Sequence, residues 1–349
     1  MISSSLLLAG LGLISIYSSS LGKGVFLNFE KQIIFLVIGF FLMMVISFFD
    51  WKMLRDSPYF ILIVYFFCIL ALAGLFFFAP KTRGISGWYK FGDVSFDPIE
   101  LMKIILIVLL AKYFSTRHVE MYRLVHILLS GFYVLFPSFL IFLQPNLGSA
   151  LILVVLWVGV LVISGIKLRH FLILVLCGLL VLVVSWSFLI RDYQKERITS
   201  FLNPQLDPKG ASWSQNQARI AIGSGGIFGQ GITKGSQTKY GFLPEPHTDF
   251  IFASIAEEMG LIGTSILFLS FVVLIWRIMK ISISATSNFP RLFASGFSIV
   301  IISQILINVG MNIGIMPVIG ISLPLVSYGG SSLIATYIGL GILNSIKTH

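Results

Sequence analysis

Ten runs of about 20 apolar residues divide this chain, and each is long enough, as a helix, to cross the hydrocarbon core of a bilayer. They lie at about 2–20, 31–49, 59–79, 98–114, 124–143, 147–165, 168–190, 249–276, 291–313 and 324–346. Between them there is room for a soluble domain only at about 191–248. Composition agrees: 57% of the residues are hydrophobic and 11% are charged, whereas a soluble domain is about one-quarter charged. We therefore expect an all-α polytopic membrane protein. It should have ten transmembrane helices, with a long extracytoplasmic loop between helices 7 and 8, in a single transmembrane domain spanning 1–349. The first run lacks a basic leader and a small-residue cleavage site, so no cleaved signal peptide is expected.

The net charge is +10, but no basic run exceeds a few residues, so nucleic acid is not an expected partner. The charge instead sets topology and helps attract anionic head groups. One set of short loops holds Lys52, Arg55, Lys112, Arg117, Arg123, Lys167, Arg169, Arg277, Lys280, Arg291 and Lys347. The opposite set holds Lys23, Lys31, Lys81, Arg83 and Lys90. The first set is expected to be cytoplasmic, with both termini inside and the segments at 80–97 and 191–248 facing outward. Cys68 and Cys177 fall inside apolar runs without metal-type spacing, and both read as core thiols.

The outer segment 191–248 is rich in Gly, Pro and Gln. "QARIAIGSGG" reads as a short amphipathic helix ended by glycine, and the rest as an irregular loop with tight turns. Loops of this length are usually functional. The segment ends in "FLPEPHTDFIFA", where a carboxylate stands at the entrance to the next apolar run. Thr248 could cap that helix, with Asp249 its first residue. Asp249, Ala253, Ala256, Gly260 and Gly263 then fall on one helical stripe, and small residues on such a stripe let neighbouring helices approach closely. Asp249 is thus expected to face the bundle interior, where a carboxylate is a functional candidate. Glu257 and Glu258, two turns deeper, could hold structure or pair with bases. Glu245 and His247 are candidate ligands or pocket walls.

The fourth run opens "FDPIELMKII". Asp97 fits the N-cap, Pro98 the first helical position and Glu100 the third. Lys103 lies three residues on, where it can pair with Glu100 inside the apolar run. The pair reads either as a structural ion pair or as a cation for an anionic head group. Arg83, with Trp88 and Tyr89, reads as an aromatic belt with a snorkelling base or as the rim of a phosphate site. The last region, "NVGMNIGIMPVIGISLPLVSYGGSSLIATYIGLG", is interrupted by Pro317, Gly320, Pro324, Gly329 and Gly330. Broken backbone at membrane depth must be buried in protein or line a cavity. "QPNLGSA" adds a polar break on the same side, and no metal-ligand cluster is visible.

In order and spacing, "ELMK", "QPNLG", "AIGSGGIFGQG", "LPEPHTDFIFA" and "PLVSYGGSS" resemble the SEDS (shape, elongation, division and sporulation) family across nearly the whole chain, and its elongation members more than its division members. The resemblance implies a ten-span enzyme of the bacterial cytoplasmic membrane that polymerises lipid II into glycan strands and releases undecaprenyl diphosphate. Its implied partners are a class B penicillin-binding protein and the elongation machinery. The family's required loop aspartate falls on Asp249, its helix-4 pair on Glu100 and Lys103, and its preceding loop arginine on Arg83. Arg197, Gln217, Glu245, His247 and Ser327 complete the candidate substrate-binding set. A divalent cation, Mg²⁺ or Mn²⁺, could share the diphosphate charge. Three positions depart from the family pattern: Asn146 replaces an aspartate, Asp97-Pro98 replaces Gln-Pro, and Trp213-Ser214 replaces Tyr-Gln. A lipid-precursor flippase and a scaffold that activates a penicillin-binding protein are the rival readings.

Overall fold

A computed structural model describes residues 1–57, 59–79, 87–92, 94–117, 124–188, 192–203 and 211–348. The chain opens with α1 (Ile2–Lys23), α2 (Leu27–Phe48), the short α3 (Lys52–Asp56) and α4 (Phe60–Phe78). A small hairpin follows, β1 (Tyr89–Phe91) pairing antiparallel with β2 (Val94–Phe96). Then come α5 (Pro98–Arg117), α6 (Leu124–Leu143), α7 (Leu147–Ile163) and α8 (Leu168–Phe188). The outer segment holds α9 (Asp192–Leu202), α10 (Ala211–Gly225) and α11 (Ser236–Lys239), and the chain closes with α12 (Ile251–Ser284), α13 (Asn288–Ile313) and α14 (Gly330–Thr348).

Among the described residues, seven helices are long and apolar enough to cross a membrane: α1, α2, α4, α6, α8, α12 and α13. Three more occupy the other expected positions. Of these, α5 carries Glu100, Lys103, Lys112 and Arg117, α7 has 17 residues, and α14 is diluted by Gly, Ser, Thr and Asn. Helix α13 packs against α5, α7 and α12, and α14 against α2 and α5. Trp51, Phe289, Phe293 and Phe297 stack in sequence along this core, with ring centroids 5.6, 6.3 and 6.3 Å apart.

The segment between α8 and α12 is more ordered than its composition suggests. The expected amphipathic helix begins earlier, as α10 at Ala211, and α9 was not anticipated. Helix α12 is broken at Gly260 (φ 62°, ψ −157°), where the turn after α10 takes over its backbone bonds. Leu261 and Ile262 N–H donate to the carbonyls of Gly226 and Ile227, while Gln230 and Gly231 N–H donate to those of Glu257 and Glu258. The small-residue stripe permits this: a Cβ on Gly225 would sit 1.9 Å from the Ala256 carbonyl oxygen. Cys68 is buried as expected, but Cys177 is exposed, because α8 turns most of its surface outward.

Candidate functional site

Three parts of the chain converge on one cavity of about 270 Å³, and Asp97, Glu100, Lys103, Asn146, Asp249 and Tyr328 are among its lining residues. The first wall is the start of α5. Ile99 N–H donates to Asp97 Oδ1 at 2.9 Å, the expected cap, and Asp97 N–H donates to Ser331 Oγ at 2.9 Å. The hairpin that delivers Asp97 is tied down by Tyr89, whose hydroxyl donates to the Ala71 carbonyl at 2.6 Å. Burial, and then the neighbouring Glu100 carboxylate, push the Asp97 carboxyl up to about 7, against the opposing pull of the Ile99 N–H and Lys103. One turn on, Lys103 Nζ lies 2.7 Å from Glu100 Oε1, with the lysine side chain 3% exposed. A cation so enclosed is tolerable only with such a partner.

The second wall is the turn leading into α12. Asp249 is half-buried and precedes the helix, whose N-cap is Phe250 rather than Thr248. The turn is bent by Glu245 at φ 44°, whose carbonyl accepts from Thr248 and Phe250 N–H. Two asparagines of α13, Asn308 and Asn312, fix it from behind. Both donate through Nδ2 to the Asp249 carbonyl at 3.0 Å. Asn308 also donates to the Ile321 carbonyl at 2.7 Å, and Asn312 Oδ1 accepts from Ala253 N–H. Each asparagine is 0% exposed, so this polar set is paid for by internal bonds.

The third wall is the non-helical stretch between α13 and α14 together with the first turn of α14, and Gly320–Ser322 and Tyr328–Ser332 face the cavity. Gln32 of α2 clamps it, donating to the Ser327 carbonyl and accepting from Gly329 N–H. Ser327 itself is not among the lining residues. Its hydroxyl donates to the Thr248 carbonyl at 2.7 Å and accepts from Leu323 N–H at 2.9 Å. A Cβ on Gly320 would lie 3.6 Å from Asp249 Oδ2. Asn146 Oδ1 accepts from Ser149 N–H and caps α7 at the cavity edge.

Asp249, Glu100 and Lys103 are thus brought together. His247 and Glu245 lie outside the lining set, their side chains 3.7 Å apart, with the His247 ring edge-on to the lining residue Tyr328. Arg197 lies outside the lining set and donates to the Val318 carbonyl at 3.3 Å. Gln217, on α10, is also outside it. Arg83 lies outside the described residues. Among the described residues Glu257 pairs with no base: it accepts from Gln237 and Thr238 N–H and from the Thr238 hydroxyl, anchoring α11 to α12. Glu258 accepts from the Ser18 hydroxyl.

Sequence reading missed Asn308 and Asn312, although two amides four residues apart inside an apolar run mark a helix face turned inward. It also read Asp97 only as a cap. Among the described residues, no group of three or more His, Cys, Asp or Glu gathers to hold a metal.

Comparison with known proteins follows the same lines. The FtsW, RodA and SpoVE family pattern, described as "Cell cycle protein", matches residues 1–349. "Peptidoglycan glycosyltransferase MrdB" of Escherichia coli (strain K12) is 38% identical over 293 residues, covering 84% of this chain and 78% of that protein. "Stage V sporulation protein E" of Bacillus subtilis (strain 168) is 34% identical over 351 residues, covering 99% and 95%. Among solved structures, a chain from "Structural coordination of polymerization and crosslinking by a peptidoglycan synthase complex" superposes with a TM-score of 0.84 at 29% identity, covering 100% of this chain and 98% of that one. The Thermus thermophilus rod shape determining protein RodA gives 0.70 at 27% identity, covering 99% and 95%. This chain belongs to the FtsW, RodA and SpoVE family of SEDS membrane proteins.

Proposed function

We propose that this protein is a peptidoglycan glycosyltransferase that polymerises lipid II during cell elongation. The observation that carries the reading is the single cavity lined by Asp249, Glu100 and Lys103. In this reading ten helices span the bacterial cytoplasmic membrane as one domain. Both termini face the cytoplasm, and the segment around 191–248, between the seventh and eighth spans, lies outside.

Joining two sugars at a lipid diphosphate needs a base for the acceptor hydroxyl and cations for the leaving group. Asp249 takes the proton of the acceptor GlcNAc 4-hydroxyl as that oxygen attacks the anomeric carbon of the donor. The bond from that carbon to the diphosphate oxygen breaks, and undecaprenyl diphosphate leaves. Direct attack inverts the centre, from an α-linked donor to a β-linked polymer. Lys103 neutralises the departing diphosphate, and Glu100 holds its ammonium in place at 2.7 Å. Mg²⁺ or Mn²⁺ bound beside the diphosphate would take an oxygen donor from Asp249. Such an ion would add positive charge, but the residues above perform their steps without it. A class B penicillin-binding protein is the proposed partner, by analogy with the synthase complex that superposes on this chain.

The test uses purified protein with labelled lipid II, with and without that partner. Replacing the base, Asp249→Asn, should lower polymerisation by at least about 10²–10⁴-fold, with expression and partner binding retained. Full polymerisation by Asp249→Asn would refute the base assignment. Translocation of lipid II without polymer by the native protein would favour a flippase, and polymer only from the partner's own activity would favour a scaffold.

A further inference from the structure

The far end of the bundle carries a second hollow, roughly 40 Å of helix from the cavity at about 1.5 Å per residue of α12. Its volume is about 350 Å³, and Arg277 and Lys280 of α12 and Lys347 of α14 line it. Among the described residues no Asp or Glu lines it. Among the described residues, none of the three cations forms a salt bridge. Basic residues at helix ends are the ordinary signal of topology, but that signal needs only a count per loop. Here two helices bring their cations to one concave site, and an entering anion would relieve the repulsion among them.

The surface next to the hollow specifies the anion's source. Trp276 lies 5.3 Å from the Arg277 guanidinium and 6.0 Å from the Lys280 ammonium, ring centre to cation. An exposed tryptophan stacked on bases marks the head-group level of a membrane protein. One to two turns back toward the bilayer centre, Leu269, Val272 and Val273 stand exposed on the same helix. A cationic hollow below an aromatic ring and an aliphatic wall matches a phosphodiester with acyl chains attached. A free phosphate would make no use of the wall. We propose that this hollow is a binding site for the phosphate of an anionic membrane lipid, with its chains lying along α12. The site is separate from the glycosyl-transfer cavity and rests only on α12 crossing the membrane.

The test titrates the full-length protein, in neutral detergent at fixed ionic strength, with a fluorescent short-chain phosphatidylglycerol. Parallel titrations use short-chain phosphatidylcholine and inorganic phosphate as competitor. Phosphatidylglycerol should bind at least about tenfold more tightly than phosphatidylcholine, and inorganic phosphate should displace it poorly. The triple variant Arg277→Gln/Lys280→Gln/Lys347→Gln should lose about tenfold or more in affinity. A control of equal charge change at other helix ends, Lys52→Gln/Arg169→Gln/Arg291→Gln, should keep it. Equal losses in both triples would reduce the effect to diffuse charge and overturn the site. Equal binding of both lipids would overturn the role of the phosphate's net charge, and full displacement by inorganic phosphate would overturn the lipid assignment. Elution of each variant as a monodisperse peak, with native thermal stability, separates lost binding from lost fold.

Discussion

Helices α8 and α13 are both apolar enough to span a bilayer, yet 72% of the apolar stretch of α13 is buried within the protein and only 6% of that of α8. Hydropathy reports that each avoids water. It does not say whether protein or lipid replaces the water. The residues that do say so are the small and polar ones. Helix α13 carries Ser295, Gly296, Ser298, Gln304, Asn308, Gly310 and Asn312, all buried. Between Leu172 and Val184, α8 offers only Leu, Ile, Val, Cys177 and Gly178. A helix that needs no polar partner and admits no close neighbour can face acyl chains on most sides.

The sharpest way to break this comparison is to remove the same kind of bulk from both helices. Phe293→Ala in α13 should cost about 3–5 kcal/mol, since the ring is fully buried in a stacked row. Leu180→Ala on α8 should stay within about 0.5 kcal/mol. Comparable losses, measured by unfolding in mixed micelles, would mean that α8 is packed after all. A similar magnitude is expected on α5, which contacts α13. Lys103→Met should cost about 3–5 kcal/mol by stranding Glu100, whereas the double variant Glu100→Gln/Lys103→Met should recover most of that stability. Under the proposed mechanism the double variant stays inactive. Recovery of activity with stability would make the pair purely structural.

A smaller effect is expected at Asn308. Asn308→Leu leaves the Ile321 carbonyl without this donor and the Asp249 carbonyl with one asparagine instead of two, and should cost about 1–3 kcal/mol. Because the asparagine acts through the position of Asp249, kcat should fall while KM for lipid II changes little. A change confined to KM would contradict that role. The last prediction concerns pH. The Asp97 carboxyl is raised to about 7 by burial and Glu100, against about 3.9 in an unfolded chain. Its protonated form is therefore favoured by the fold, and that contribution, complete below about pH 4, is lost as pH rises through about 7. Asp97→Asn keeps the capping oxygen without the charge. Its thermal stability should gain on the native protein across that interval and run parallel above it, and a pH-independent difference would show that Asp97 is not held neutral.

Local chemistry was legible in the sequence wherever neighbours along the chain supply it. The cap at Asp97-Pro98, the Glu100–Lys103 pair and the broken stretch after α13 could all be read from spacing, because each depends on residues a turn or so apart. Asp249 was placed at the correct boundary, but two residues before the helix, since the bend at Glu245 sets the start. The stripe below it reads as a contact between helices, and α10 is that neighbour: Ala253 clusters with Ala218 and Ala221, and Gly225 meets the Ala256 carbonyl. That the turn after α10 also bonds the break at Gly260 is what no periodicity announces. Asn308 and Asn312 were passed over because glycines and prolines dominate that motif, and the meaning of the two amides depends on carbonyls about 60 residues away. Arg197 enters the candidate set on its charge and Gln217 on resemblance, and the cavity lining includes neither, nor Glu245, His247 and Ser327.

Gly260 and Gly229 press together so closely that a Cβ on Gly260 would sit 2.3 Å from the Gly229 nitrogen. At φ 62° and ψ −157° any other residue at Gly260 is strained even before that collision. The two positions therefore have to be inherited as a unit. A chimera that exchanges the 211–235 region with a relative while keeping its own α12 succeeds only when the donor brings the same bare backbone to the joint. Breeding new specificity into the outer segment is bounded from below by that seam, and a working graft must cut the chain beyond Thr264 instead of at Asp249.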